Sequence, residues 1–407
     1  MHILYHHRTR GRSVEGIHIR SITDALRATG ATVDIMSVPG ADPYHEEIPG
    51  ARPGVVTRVL RHVSARVPEP LFELLEAAYN AVAYLRLTRY LKHQQVDLIY
   101  ERYSLFLWAG VFVARRCGIP VFLEINDSAA VDNRVRPLFF RRWARRIERW
   151  VFQHASGLVF VSGSFRDIAQ TTYSRIAPAI VSPNAVDTEK FTPHAEDRAE
   201  ARRRYGLENR VVCGYVGAFI KWHGIDWFVR AMADVLPEHP KLAILLVGDG
   251  KLFDEVRRLV EARALQQSII LAGRVGHDEV PRLISAMDFA ILPDSNNYGS
   301  PMKLFEFMGS GVAMVAPDFE PVREVITDGK TGWLFPAKDV SACVQKVVDV
   351  YQQPEVCRRL GKAARDYIFA NRQWSHNVAQ LLALYEAVPK APVASAGAGN
   401  HSVRERR

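Results

Sequence analysis

A chain of 407 residues is longer than one hydrophobic core usually serves, so its length predicts two domains of ordinary size. Hydrophobic residues make up 48% and charged residues 24%, which excludes a disordered chain, and no run approaches the ~18–20 apolar residues of a membrane-spanning helix. The net charge of +9 asks for an anionic partner, with nucleic acid, membrane lipid and phosphorylated substrates as the candidates.

The opening "MHILYHHRTRGR" has a strand-like apolar piece in place of a signal-peptide core, which predicts a cytoplasmic protein. The four cysteines, Cys117, Cys213, Cys343 and Cys357, are scattered along the chain, a pattern of buried thiols in a reducing compartment and not of a disulfide framework or metal site. Strand-like runs follow at "ATVDIMSV", "LIYER", "PVFLEIN", "GLVFVSG" and "AIVSPN". Helical patterns alternate with them, from Ile17 to Ala28, in "PEPLFELLEAAYNAVAYLRLTRYL", in "FLWAGVFVARRCG" and in "RPLFFRRWARRIERWVFQHA". Such alternation predicts an α/β fold with a parallel, doubly wound sheet.

The pattern restarts near residue 185, with strands at "VVCGYVGAF", "KLAILLVGDG", "SIILAGRV", "FAILP", "VAMVAP" and "GWLFP". The expected domains are therefore 1–184 and 185–365, both Rossmann-like and facing each other across a cleft. A helix over 366–388 is expected to cross back to the first domain, before an Ala/Gly/Pro/Ser-rich, disordered tail over 389–407. Ligands of open α/β sheets bind at the carboxyl ends of strands, so the cleft is the expected working site.

Chemistry-bearing residues gather at those ends. "SNNYGSPMKLFEFMGSG" opens a helix that Ser300 would cap with Pro301 in the first helical position, yet its first turn carries Lys303 where the helix dipole favours an acid. Lys303 suits a helix start that holds an anion, and Glu306, one turn on, could accept hydroxyl hydrogen bonds from a sugar or ribose. Locally, a solvated Lys303 and an Arg-paired Glu306 explain the same residues. Gly217, Lys221 and His223 follow one strand, Gly248 another, and Arg274 a third, as backbone approach to a diphosphate would need.

The chain resembles the GT-B fold glycosyltransferases of family 4, a retaining group. "SPNAVDTEKFTP" resembles that family's interdomain signature, and "LLVGDG", "LAGRVGHDEVPRLISAMDFAILP" and "EVITDGKTGWLFP" resemble its second domain in order and spacing. "NYGSPMKLFEFMGSG" looks like the donor-binding helix of a bacterial subgroup, while "RTRGRSVEGIHIRSI" and "LIYERYSLF" resemble its first domain. The resemblance implies that the second domain binds a nucleotide-diphosphate sugar, UDP before GDP, through Tyr298, Gly299, Ser300, Lys303, Leu304 and Glu306 together with the strand-end residues above. It also implies that Glu306 holds the donor's ribose and that the first domain binds a saccharide, lipid-linked or small-molecule acceptor.

In its donor site this sequence departs from the family's pattern in three places. Tyr298 stands where the family has a glutamate, Ala218 where it has the diphosphate arginine, and His223 where it has the lysine. Lys303, helped by Lys221 or His223, is expected to supply the missing charge. In the first domain Asn126 stands where the family often has a histidine near the reacting carbon, and Gly16 would face the donor. Arg10, Glu15, His18, Glu124 and Asp127 are the further cleft candidates, although a helix cap for Asp127 and a buried ion pair for Glu124 fit the sequence too. Asn126, Lys303 and Glu306 are the expected catalytic residues.

No D-x-D triplet occurs and His6, His7 and His18 lack companions at ligand spacing, so no metal is expected. "RVRPLFFRRWARRIERWVFQ" sets seven arginines against Glu148 alone and repeats aromatic residues at helical spacing. Arg141, Arg142, Trp143, Arg145 and Arg146 suit an anionic membrane surface, and they suit equally a packed helix with a solvated basic face. Nucleic acid has no helix-turn-helix, RNA-binding or zinc-finger pattern in support, and a dinucleotide oxidoreductase no G-x-G-x-x-G after the first strand. A nucleotide-sugar epimerase or hydrolase, and an inactive membrane-surface scaffold, stand as alternatives to the transferase.

Overall fold

The computed structural model describes residues 1–9, 11, 13–44, 68–132, 134 and 136–388. Arg10 and the tail expected over 389–407 lie outside them. The first sheet is parallel and orders its strands β2-β1-β3-β4-β5-β6, where β1 is His2–His6, β2 Thr32–Met36, β3 Leu98–Arg102, β4 Val121–Ile125, β5 Gly157–Phe160 and β6 Ala179–Val181. Its helices are α1 (Ser13–Ala28), α2 (Glu69–Leu91), α3 (Ala109–Cys117), α4 (Arg141–His154) and α5 (Gly163–Tyr173).

The second sheet orders its strands β12-β11-β10-β7-β8-β9 and is also parallel. Its strands are β7 (Val211–Val216), β8 (Leu242–Val247), β9 (Ile269–Gly273), β10 (Phe289–Ile291), β11 (Met314–Pro317) and β12 (Gly332–Phe335). Around it lie α6 (Ala195–Tyr205), α7 (Ile225–Val235), α8 (Phe253–Ala262), α9 (Val280–Ser285), α10 (Met302–Gly309), α11 (Glu320–Arg323), α12 (Val340–Tyr351) and α13 (Pro354–Asn371). Strands covered by helices on both faces must be apolar throughout, and all six residues of β8 are buried. Each sheet reverses its order of construction once, between β1 and β3 and between β7 and β10, and ligand crevices open at such points.

The changeover between the two cores falls inside one dipeptide. Ala185 packs with the first-domain residues Ile3, Tyr5 and Phe122, while Val186 packs with Leu245, Phe305 and Ile368 of the second. Near the carboxyl end the chain is helical on both sides of Arg372, where one helix over 366–388 was expected. The first of these, α13, packs on α10; the second, α14 (Trp374–Ala387), buries Trp374, Val378, Leu381 and Leu384 against Ile3 and Ile19 of the first domain.

The two domains also meet at the start of α5. Ser162 Oγ donates to the Tyr298 carbonyl (2.6 Å), Ser164 Oγ donates to the Asn297 carbonyl (2.8 Å), and the Gly163 N–H donates to Glu324 Oε1 (2.7 Å). Tyr298, 5% exposed, places its ring 5.2 Å from that of Phe165 and so belongs to the first domain's core. Tyr298→Ala should therefore weaken domain docking by about 2–4 kcal/mol, as for other large-to-small core changes. Small-angle scattering should show a larger radius of gyration with unchanged helical circular dichroism.

Cys213, Cys343 and Cys357 are buried as expected, and burial pushes the thiols of Cys343 and Cys357 up to about 12. Cys117 is a correction: it is exposed, because α3 ends there at the surface. Among the described residues no helix is long and apolar enough to cross a membrane.

Candidate functional site

The carboxyl end of the second sheet brings Gly217, His223, Lys303 and Glu306 together. Gly217 leaves β7 with φ 153°, and a Cβ there would stand 2.8 Å from Lys303 Nζ and 3.1 Å from the Tyr215 hydroxyl. Gly248 leaves β8 with φ 133°, and its Cβ would stand 2.0 Å from the Gly217 carbonyl oxygen. Two glycines in a conformation other residues avoid thus let two strand ends close on one lysine.

Lys303 reaches this spot from the first turn of α10. Its Nζ lies 4.7 Å from the Tyr215 ring centroid, is enclosed, and has no hydrogen-bond partner among the described residues. Burial pushes its ammonium down to about 7, with Glu306 opposing. Burial likewise pushes the Glu306 carboxyl up to about 7, against the pull of Lys303 and Lys190. An enclosed ammonium without an acceptor is costly to the fold, so its environment favours an added anion.

His223 holds Nδ1 2.8 Å from the Ala218 carbonyl oxygen and 3.0 Å from the Tyr215 hydroxyl. Burial and then Lys303 push it down to about 3, so at neutral pH it is an uncharged ring and not the cation expected. Lys221 and Arg274 are exposed.

Three other expectations about this segment change. Ser300 does not cap α10: Pro301 occupies that position, while Ser300 Oγ accepts from the Asn184 N–H (3.1 Å) and its carbonyl from the Asn184 amide (2.5 Å). Leu304 is fully buried in the second core, and its N–H already donates to the Pro301 carbonyl. Tyr298 turns its ring into the first domain, and Gly299 donates its N–H to Asn296 Oδ1 (2.5 Å). Tyr215 and Lys190 are additions to the site. Lys190 sits in the "SPNAVDTEKFTP" segment, but its reach toward Glu306 depends on the fold of that crossover.

In the first domain Glu124 is a hub. It accepts from Arg102, from the Asn126 amide (2.5 Å) and from the Tyr5 hydroxyl (3.2 Å), and pairs with His18 Nε2 (2.9 Å). Burial would raise its carboxyl, but His18, Arg102 and these hydrogen bonds hold it well below the usual range. Glu124 thus takes the buried ion-pair reading, with Asn126 and His18 oriented by it. Arg102 and Tyr5 were not singled out from sequence; Arg102 lies directly opposite Glu124 in the β3–β4 register, which only the strand order reveals.

Asp127 is held by Arg134 and accepts the Ser128 N–H, so it stabilises its own loop instead of capping a helix. Gly16 is buried where a Cβ would meet the Gly11 carbonyl at 2.3 Å, and Glu15 is exposed nearby. Burial, His6 and Arg102 push His7 down to about 4. Among the described residues no set of three or more His, Cys, Asp or Glu side chains stands close enough to hold a metal ion.

The basic helix α4 divides its charges. Arg141 and Arg145 pair with Asp132, whereas Arg142 and Arg146 are exposed without an ion pair among the described residues. Glu148, the acid among them, is buried and accepts from Ser128, Ala129, Tyr103 and Tyr173.

Residues 16–190 match the family model described as Glycosyltransferase Family 4, and residues 197–367 match that described as Glycosyl transferases group 1. A mannosyltransferase of Mycolicibacterium smegmatis, named as GDP-mannose-dependent and acting on phosphatidylinositol monomannoside, is 25% identical over 89% of this chain and 92% of its own. The alpha-D-kanosaminyltransferase of Streptomyces kanamyceticus is 25% identical over 68% of this chain and 72% of its own. Among solved structures, sucrose-phosphate synthase from Thermosynechococcus elongatus superposes with a TM-score of 0.71 at 20% identity, covering 95% of this chain and 99% of that one. Anabaena HepE in complex with UDP does so with 0.69 at 17%, covering 94% and 100%.

Proposed function

Since the chain is a glycosyltransferase with the GT-B fold, we propose that it moves a sugar, with retention of anomeric configuration, from a nucleotide-diphosphate sugar to an acceptor hydroxyl. The observation that carries this reading is the enclosed Lys303 ammonium, without a hydrogen-bond acceptor among the described residues, at the carboxyl end of the second sheet and one turn from Glu306. The diphosphate would sit between Lys303 and the strand-end backbone, with the ribose hydroxyls donating to Glu306. UDP is the proposed nucleotide, in keeping with the UDP bound by HepE. The acceptor is a saccharide, lipid-linked or small-molecule hydroxyl, delivered from the first-domain side.

The new bond from acceptor oxygen to the sugar's anomeric carbon forms on the face from which the diphosphate oxygen leaves. The acceptor's proton passes to that departing oxygen, so this scheme needs no protein base. Lys303 and backbone N–H groups would stabilise the charge on the leaving diphosphate, and Asn126 would stand on the first-domain side.

Donor affinity should then peak near pH 7. Above about 7 the ligand-free site loses the Lys303 proton that the diphosphate requires, and below about 7 Glu306 gains a proton and accepts ribose hydroxyls poorly. Calorimetric titration of UDP from pH 6 to 9 checks this, and a flat profile would count against it. The epimerase, hydrolase and scaffold alternatives are not favoured, since the relatives above are named as transferases or a synthase. Nucleotide release from a panel of UDP, GDP and ADP sugars tests the reading: acceptor-dependent release is expected, and equal release without acceptor would overturn it.

A further inference from the structure

A second concentration of cations lies away from the cleft, at the amino ends of β10 and β11. There a cavity of about 440 Å³ opens between the starts of α6 and α13 and the turn that follows α10. Arg198 stands on its α6 side, and Arg358, Lys362 and Arg365 stand on its α13 side. Among the described residues the one acid that lines it is Asp288. Its volume falls in the range of small-molecule sites, about 300–1,000 Å³, and exceeds what a bare phosphate fills.

Close packing presents these charges to the cavity. α13 lies so near the turn after α10 that a Cβ at Gly361 would stand 2.0 Å from the Gly311 carbonyl oxygen. Arg358, Lys362 and Arg365 follow one another at i, i+4 and i+7 of that helix, so one face carries three like charges in succession. Neighbours of like sign at this spacing weaken a helix unless a counter-charge meets them. Arg358 pairs with Glu355 and Lys362 with Asp366 (3.1 Å), both exposed pairs within one helix, a kind that contributes little. Asp288 is already engaged by Arg198, Arg202 and the Val212 N–H, so the α13 cations face no free carboxylate in the cavity.

Arg365 connects this cavity to the helix that bears Lys303. Its guanidinium donates to the carbonyl of Gly309, the last residue of α10, and to the Phe191 carbonyl (3.2 Å) and Thr192 Oγ1 (3.2 Å) of the crossover that carries Lys190. We propose that the cavity is a second anion site, which takes a small phosphate ester, and that its occupation is linked to donor binding through Arg365 and α10. The phosphate meets Arg358 and Lys362, which are exposed at the mouth, and the rest of the ester fills the space toward Ser310 and Val312. Both ligands bind the arrangement in which Arg365 holds the end of α10, so each tightens the other. Only that linkage rests on the transferase reading.

The test is calorimetric titration of glucose 6-phosphate, and separately of inorganic phosphate, into the full chain as wild type, as Lys303→Met and as Arg358→Glu with Lys362→Glu. Glucose 6-phosphate should bind the wild type and Lys303→Met alike, and inorganic phosphate should bind both more weakly. The charge-reversed pair should lose about tenfold or more in affinity for the ester, yet bind UDP alone as the wild type does, which certifies its fold. With glucose 6-phosphate present, UDP should bind the wild type about fivefold more tightly and the charge-reversed pair no more tightly. No binding of the ester by the wild type, or undiminished binding by the charge-reversed pair, would overturn the second site. So would loss of binding in Lys303→Met, since the probe would then occupy the donor site. Equal affinity for ester and inorganic phosphate would overturn the ligand class, and an ester that binds without moving UDP affinity would overturn the linkage. Ester binding by a wild type that does not bind UDP would uphold this site while striking the transferase reading, so the two failures are separable.

Discussion

Lys303→Met should lower kcat/KM for the nucleotide-sugar donor by about 10²–10³ while raising the melting temperature of the ligand-free protein. The loss follows from removing a preorganised positive charge at the point where the leaving diphosphate gathers its own, an effect of this size wherever one such donor is deleted. The gain follows from the same burial: an enclosed ammonium without a hydrogen-bond acceptor costs the empty fold, and methionine fills similar space without that cost. Glu306 then loses the pull of Lys303 and keeps that of Lys190, which shifts its carboxyl further toward the protonated form, so the stabilisation should be modest, about 1–2 kcal/mol. Steady-state kinetics and differential scanning fluorimetry read the two effects on one sample. A variant that is less active and also less stable would mean that Lys303 is structural.

Glu124→Ala should be the most destabilising single change in the first domain, at about 3–5 kcal/mol. It leaves the buried Arg102 guanidinium without its carboxylate and removes the acceptor of His18, Asn126 and Tyr5 together. The pH dependence has a definite sign. The carboxyl is held low in the folded state, so its contribution is full above the ordinary carboxylate range and is lost as pH falls toward the folded value. Urea unfolding at pH 7 and at pH 4 should show a wild type that weakens in acid and a Glu124→Gln variant that weakens less. Equal acid sensitivity in both would remove Glu124 from the account of first-domain stability.

The two-domain fold was legible because parallel strands, covered by helices on both faces, must be continuous apolar runs. β8 and β11 read that way directly. Lys303 and Glu306 could be named as candidates because a lysine in the first turn of a helix conflicts with local electrostatics. What stayed hidden depended on strand order or on the other domain. Arg102 acquires meaning beside Glu124 once β3 and β4 are neighbours, and Tyr298 packs on Phe165 across a boundary that no local pattern encodes.

The most direct test of the central claim is isothermal titration of UDP at pH 8 in two buffers of different ionisation enthalpy, for the wild type and for Lys303→Met. If the diphosphate settles on Lys303, the wild type takes up close to one proton on binding, because the ligand restores an ammonium that burial had brought down to about 7. The variant should bind much more weakly and take up none. Equal affinity and equal proton uptake in the two proteins would contradict the account.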